Sequence, residues 1–265
     1  MRFDLPLFLE LNEEYRSKPV LPRPPTYAQE ALRRRGNSRV SKLAAAAAKL
    51  AVAIKGGRAI EIGCGRGETS RALATELGLE VVGVDIKKYS HWAKPPPGVS
   101  FVAADLSQAI PALGSFDFAC SFSVWEHVRH PFRMLQAAHS LLKDGGTFYL
   151  SANLYRGPKA SHRYRDVFFP WPHLLFQDSV FEEFYVSQGL PPKGASWINQ
   201  LSIADYFRYF DLVGFKLASV AYARSKFDEA FYARFADQLE RIPRFDLERD
   251  FMHATLVKTR AAKPS

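Results

Sequence analysis

The run Glu61-Ile62-Gly63-Cys64-Gly65-Arg66-Gly67 sets three glycines at alternate positions behind an acid. Glycine lets a backbone turn tightly and come close to a ligand, since no side chain stands in the way. A purely structural strand-to-helix turn needs one glycine, not three. Residues 58–63 read as a strand and residues 68–77 as a helix ended by Gly78, so the turn leads into a helix N-terminus. The amide dipole there favours a polar ligand. Asp85 lies 18 residues after Gly67, at the end of a second strand, Glu80-Val-Val-Gly-Val-Asp. An acid in that place accepts hydrogen bonds from ribose hydroxyls in nucleotide-binding folds. Asp105, after a third strand, is placed to accept from an adenine amine. A nicotinamide fingerprint would space its glycines G-x-G-x-x-G. Its third slot here is Glu68, and the observed spacing is G-x-G-x-G.

The elements that must hold these residues follow from apolar periodicity. A helix capped at Asn37-Ser38 is expected to run to about Lys55 and stop at Gly56-Gly57. Strands are expected at residues 99–104, 116–122 and 147–152, with a helix from Pro131 to Leu142 and a turn at Lys143-Asp144-Gly145-Gly146. This alternation argues for a parallel sheet wrapped by helices, with four strand ends facing one crevice. The rhythm breaks at residues 153–199, a long insertion with several prolines and aromatics. A helix at about 201–210 and strands at 215–223 and 252–259 follow, with an amphipathic helical stretch at 227–239 between the strands. Residues 1–37, proline-rich around Pro19 to Pro25, read as an arm packing across the main domain.

Residues 58–152 resemble the class I S-adenosylmethionine-dependent methyltransferases, close to the broad small-molecule group. The motifs match in order: the glycine run; Val-Val-Gly-Val-Asp-Ile; Phe-Val-Ala-Ala-Asp-Leu; and Phe-Asp-Phe-Ala-Cys-Ser-Phe-Ser-Val-Trp-Glu-His-Val, followed by Leu-Lys-Asp-Gly-Gly-Thr-Phe. The match covers over a third of the chain. It specifies cofactor and fold, but not acceptor. The resemblance implies an α/β, doubly wound, Rossmann-like fold. Its seven-stranded sheet is mostly parallel with an antiparallel last strand, and it carries an N-terminal arm and a lid inserted after strand five. Residues 1–265 are then one methyltransferase domain: arm and helix 1–57, cofactor core 58–152, substrate-lid insertions 153–199 and 224–250, and C-terminal helix and strands 200–223 and 251–260.

The resemblance also implies roles, with S-adenosylmethionine as cofactor. Glu61 and Gly63 belong at its methionine end, Glu61 reaching the amino group. Gly65 lines its channel, and Cys64 and Gly67 are further cofactor-binding residues. Asp85 takes the ribose hydroxyls and Ile86 packs on the adenine. Asp105 and the Leu106 amide hold the adenine, and Ser121 and Phe122 contact the methionine portion.

Methyl transfer from a sulfonium is an in-line displacement, so a protein base is needed only where the acceptor must lose a proton. His127 and His162 are the candidate bases, with His130 and His173 behind them. The bland alternative for His127 is a loop brace. Trp125, Arg163, Tyr164 and Trp171 are candidate acceptor-binding residues, since basic groups beside aromatics suit an acidic acceptor with an apolar part. The alternative is an ordinary lid with buried aromatics and solvated arginines. No metal is expected, because no His/Cys/Asp cluster has ligand spacing. The expected reaction is methylation of a hydroxyl or carboxyl oxygen on a small molecule, for which an anionic group would suit the basic residues.

The net charge of +9 raises an RNA methyltransferase as the first rival. The chain lacks the Asn/Asp-Pro-Pro-aromatic motif of exocyclic-amine enzymes, and Cys120 lies inside a strand. No nucleic-acid partner is therefore expected. The second rival is a non-catalytic module that binds S-adenosylmethionine. Two cysteines, no convincing signal peptide and no apolar run long enough to span a membrane predict a cytoplasmic protein.

Overall fold

The computed structural model describes residues 3–17, 28–49 and 56–259. Its backbone contacts form two compact units, one of residues 26–152, 204–221 and 252–265, the other of 1–25, 153–203 and 222–251.

The first unit holds the sheet. Its strands are β1 (Arg58–Ile62), β2 (Glu80–Asp85), β3 (Val99–Ala103), β4 (Phe116–Phe122), β5 (Leu142–Asn153), β6 (Phe215–Arg224) and β7 (Arg249–Lys258), in the order β3-β2-β1-β4-β5-β7-β6. Strands β3 to β5 pair in parallel through β2, β1 and β4, and antiparallel pairing enters with the last strands. The expected seven-stranded fold is therefore observed. Strands β1 and β4 are buried along nearly their whole length, as parallel strands covered on both faces must be. Strand order reverses between β1 and β4, which opens a crevice at the carboxyl ends of the strands.

Helices α2 (Gln29–Lys49) and α3 (Glu68–Leu77) lie in this unit. The expected helix start at Asn37-Ser38 is corrected: α2 begins at Gln29. Its buried stripe Leu32, Gly36, Val40, Leu43 and Ala47 runs straight through the Asn-Ser pair, and Ser38 faces solvent. The expected stop near Lys55 falls outside the described residues. Gly36 serves packing: a Cβ there would sit 2.3 Å from the Glu68 carbonyl oxygen at the start of α3. Helix α4 (Pro131–Leu141) opens on its proline, as expected.

The turn expected at residues 143–146 is instead a bulge within β5. Phe116 pairs with Leu142 and Phe118 with Thr147, so four residues of β5 stand opposite one residue of β4. Lys143 Nζ, on the bulge, meets Asp117 Oδ1 at 2.6 Å.

The second unit joins α1 (Leu5–Arg16) to five short helices: α5 (Pro172–Leu175), α6 (Asp178–Ser187), α8 (Glu229–Arg234), α9 (Ala236–Leu239) and α10 (Arg244–Leu247). Helix α7 (Ile203–Val213) lies almost wholly in the sheet unit. The expected arm is thus partly helical. Asp4 caps α1 by accepting from Leu7 N at 3.3 Å, and Pro6 occupies its first turn. The core of this unit is aromatic. Phe8 is fully buried, with Phe169, Phe176, Phe181 and Phe184 ring centroids 4.9–5.2 Å away. Asn12 donates to Asp166 O at 2.9 Å and accepts from Phe168 N at 2.8 Å, fixing the register of α1 on the inserted chain.

Candidate active site

Parallel pairing of β1 with β2 and β4 brings the three strand ends together. The glycine run hangs from them. Gly63 and Cys64 both donate to Val84 O, at 2.7 and 3.0 Å, and Gly67 donates to Cys64 O at 2.8 Å. All three glycines have positive φ. At Gly63 a Cβ would lie 2.3 Å from Val124, and at Gly67 2.3 Å from the Phe101 ring. At Gly65 a Cβ would meet nothing within 4 Å. Two of the glycines therefore admit neighbouring side chains, and the third leaves open space.

That turn borders a cleft of about 620 Å³ lined by Gly63, Asp85, Ile86, Asp105, Leu106, Ser123, Val124, His127, Val128 and others. Asp85 is one of the two carboxylates in its lining. Its Oδ2 accepts from Gly65 N at 2.9 Å and its Oδ1 from Lys87 N at 3.2 Å. Each carboxylate oxygen retains a further lone pair. Ile86 is 66% exposed, an apolar side chain with no cover. Asp105 Oδ1 accepts from Ser107 N and Oγ, at 2.9 and 2.7 Å, and its Oδ2 from Gln108 Nε2 at 3.0 Å. A second groove, of about 700 Å³, is lined by Arg33, Arg66, Glu68, Arg71 and His91. It touches neither Asp85 nor Asp105, so the two acceptor carboxylates single out the smaller cleft.

Gly65 and Gly67 shape the turn without lining the cleft, and four further expected cofactor residues, Glu61, Cys64, Ser121 and Phe122, also lie outside its lining. Glu61 does not line the cleft. It is 1% exposed, and its Oε2 accepts from Ser70 Oγ at 2.6 Å in the first turn of α3. Burial raises its pKa to about 7, against the lowering effects of Ser70 and Arg39. Cys64 is 2% exposed, and burial drives its thiol pKa far up, so it stays protonated. Ser121 is buried and donates to Ile62 O at 2.9 Å, which ties β4 to β1. Phe122 packs in the core against Tyr149, 5.4 Å between centroids. The end of β4 instead presents Ser123 and Val124 to the cleft, two residues further along. Ser123 holds φ 55°, an uncommon value for a residue with a side chain.

Of the acceptor candidates, Trp125 is buried against Phe148, and Trp171 is 1% exposed with Nε1 donating to Leu247 O at 3.0 Å. Both are core residues, because a large ring with one satisfied or enclosed edge packs better inside than out. His127 is exposed on the cleft, and so is His130. His173 is half-buried, Nε2 at 2.6 Å from Tyr155 O, and loss of solvent around the ring lowers its pKa to about 4. It is a neutral structural histidine.

His162, Arg163 and Tyr164 belong to the helical unit. His162 has φ 54° and places Nε2 3.1 Å from Asn153 Oδ1, while Asn153 Nδ2 donates to Asp250 O at 2.7 Å. Arg163 Nε donates to Gly194 O at 2.7 Å. No sequence pattern marked Asn153, Ser123 or Val124. Position relative to the strand ends is the only signal that could have found them.

A family profile described as "Methyltransferase domain" matches residues 29–219. Among curated proteins, the chain is 36% identical over 118 residues to the ubiquinone biosynthesis O-methyltransferase of Xanthomonas campestris pv. campestris (strain B100), covering 41% of this chain and 48% of that protein. The chain spans about half the length of the curated relatives it matches. Among solved structures, an S-adenosylmethionine-dependent methyltransferase from Mesorhizobium loti aligns with TM-score 0.52 and 19% identity, over 80% of this chain and 96% of that one. The 1,6-didemethyltoxoflavin-N1-methyltransferase of Burkholderia thailandensis, with bound 1,6-didemethyltoxoflavin and S-adenosylhomocysteine, aligns with TM-score 0.50 and 16% identity, over 97% of this chain and 87% of that one. At these identities the likeness is one of fold. Among the described residues no helix is long and apolar enough to cross a membrane.

Proposed function

The chain belongs to the methyltransferase-domain family, and from that premise we propose that it transfers the methyl group of S-adenosylmethionine to an oxygen of a small organic acceptor. The observation that carries the cofactor reading is the cleft itself. Asp85, exposed Ile86, Asp105 and Leu106 line it together with Gly63, and Gly65 N donates to Asp85 Oδ2. That set of groups fits a nucleoside: two carboxylates accept hydroxyl and amine hydrogens, and apolar side chains take a ring.

In this reading Asp85 holds the ribose hydroxyls with the lone pairs that Gly65 and Lys87 leave. Asp105 accepts from the adenine amine, and Ile86 and Leu106 enclose the ring. The bound cofactor supplies a methyl group already activated on a sulfonium. The protein's task is therefore to align the acceptor and keep water out. For a hydroxyl acceptor the proton passes to His127, exposed on the cleft, or to His162. A carboxylate acceptor needs neither. Arg163 and Tyr164 are proposed to bind the acceptor on their chemistry, as the expected anionic group requires. The O-methyltransferase relative supports oxygen as the acceptor atom.

Calorimetric titration with S-adenosylhomocysteine tests the cofactor reading. Binding that Asp85→Ala weakens at least tenfold is expected, and absence of heat from the wild type would refute it. Labelled S-adenosylmethionine offered with pools of phenols and carboxylic acids tests the acceptor class. Transfer only to amines would overturn the choice of oxygen. Turnover unchanged in both His127→Ala and His162→Ala would remove a histidine base.

A further inference from the structure

We propose that Trp92 is a positioning residue for the cofactor, holding the glycine turn in its binding shape by gripping the Gly65 carbonyl. This rests on the reading that the cofactor occupies the cleft beside that turn.

Gly65 is fixed at both polar groups of its backbone. Its N–H donates to Asp85 Oδ2 at 2.9 Å, and its carbonyl accepts from Trp92 Nε1 at 2.8 Å. Both partners belong to one segment, the end of β2 and the strap that follows it. A glycine with φ 53° and empty space about its Cα has the widest conformational choice of any residue. Without the two bonds the turn would sample many shapes, and ordering it would cost binding free energy.

Trp92 can serve as a fixed post because it is itself held. It is 7% exposed and stacks face to face on Phe101, 5.1 Å between centroids and 10° between planes. Phe101 fills the space that Cβ atoms on Gly67 and Gly83 would claim, at 2.3 and 2.7 Å. The absence of two side chains thus makes room for the ring on which Trp92 rests. The strap is anchored a second time by Arg71 of α3. Its guanidinium donates to Lys94 O at 3.1 Å and to His91 O, and lies 5.5 Å over Phe101. Tyr89, on the same strap, lines the cleft and sits 5.8 Å from Trp92. None of these residues belongs to the glycine run or to the acids after the strands.

The test is Trp92→Phe, which keeps an aromatic ring on Phe101 and removes the donated hydrogen bond. We expect its affinity for S-adenosylhomocysteine to fall roughly three- to tenfold, the worth of one neutral hydrogen bond. The KM for S-adenosylmethionine should rise by a similar factor, with kcat at saturation within about twofold. Amide exchange across residues 63–67 of the free protein should quicken, a readout that needs no ligand. Wild-type binding that Asp85→Ala weakens and Trp92→Phe leaves unchanged overturns this proposal alone. So does unchanged exchange across the turn, or a fall in kcat with KM unaltered. A wild type that gives no heat overturns the cofactor reading, and this proposal with it.

Discussion

Ser70 Oγ donates to Glu61 Oε2 at 2.6 Å, tying the end of β1 to the first turn of α3 beneath the glycine run. The Glu61 carboxyl is buried, and burial raises its pKa from 4.5 to about 7. A carboxyl raised on folding lends stability that is complete below its unfolded value and lost as pH rises through its folded one. Wild-type protein should therefore lose about 3 kcal/mol from this group between roughly pH 4.5 and 7. His173, lowered to about 4 by burial, acts in the opposite sense: its contribution is complete above its unfolded value and lost as pH falls. The difference between wild type and Glu61→Gln isolates the carboxyl. Urea unfolding across that range should show the variant with the more positive slope in pH. Equal slopes would refute the buried-acid assignment.

The three glycines of the turn should separate stability from binding. Gly63→Ala drives a Cβ to 2.3 Å from Val124 and is expected to cost about 3 kcal/mol or more through overpacking and strain together. Gly65→Ala meets nothing and should cost only about 1 kcal/mol for its left-handed backbone. Its S-adenosylhomocysteine affinity should nevertheless drop at least tenfold, since the new methyl stands on the residue whose N–H is bonded to Asp85. A Gly65→Ala variant that binds normally would remove that position from the binding turn.

Gly36→Ala provides a test in which two effects compete. On helix propensity alone alanine would stabilise α2 by about 1 kcal/mol. The Cβ would stand 2.3 Å from the Glu68 carbonyl, however, and neither helix backbone can yield cheaply. A lower thermal midpoint is expected. A higher one would mean that α2 and α3 approach less closely than the structure places them.

In the helical unit, Phe8→Ala should cost about 3–5 kcal/mol, because the side chain is fully buried among four other aromatic rings. Leu9, on the same helix and 37% exposed, should tolerate alanine within about 0.5 kcal/mol. Denaturant midpoints of the two variants check the contrast.

The parts of the molecule that a short sequence window encodes were legible in advance. The glycine run, the Asp85 and Asp105 strand ends and the Gly78 stop of α3 depend on local backbone demands, which glycine and aspartate announce. What tertiary context decides was not legible. Glu61 and Ser121 lie within the recognised motifs, yet one is buried against Ser70 of α3 and the other is bonded to Ile62 O. Trp125 and Trp171 resemble binding aromatics in sequence, and only burial reveals them as core. The Asn37-Ser38 pair carries a capping signal that the longer apolar stripe of α2 overrides. Trp92 has no motif at all, since its importance comes from a contact with a residue 27 positions away.

The helical unit is assembled from three stretches of chain that lie far apart in sequence. Phe8 leaves the ribosome early, whereas Phe169, Phe176, Phe181 and Phe184 follow only after the strands β1 to β5 have been made. Arg234, which pairs with Glu10 and Glu14, comes later still. During synthesis α1 must therefore wait with its aromatic face uncovered, and closing so long a loop is slow. The nascent chain in that interval is a natural client for a chaperone, and overproduction without one should lead to aggregation before the last helices arrive.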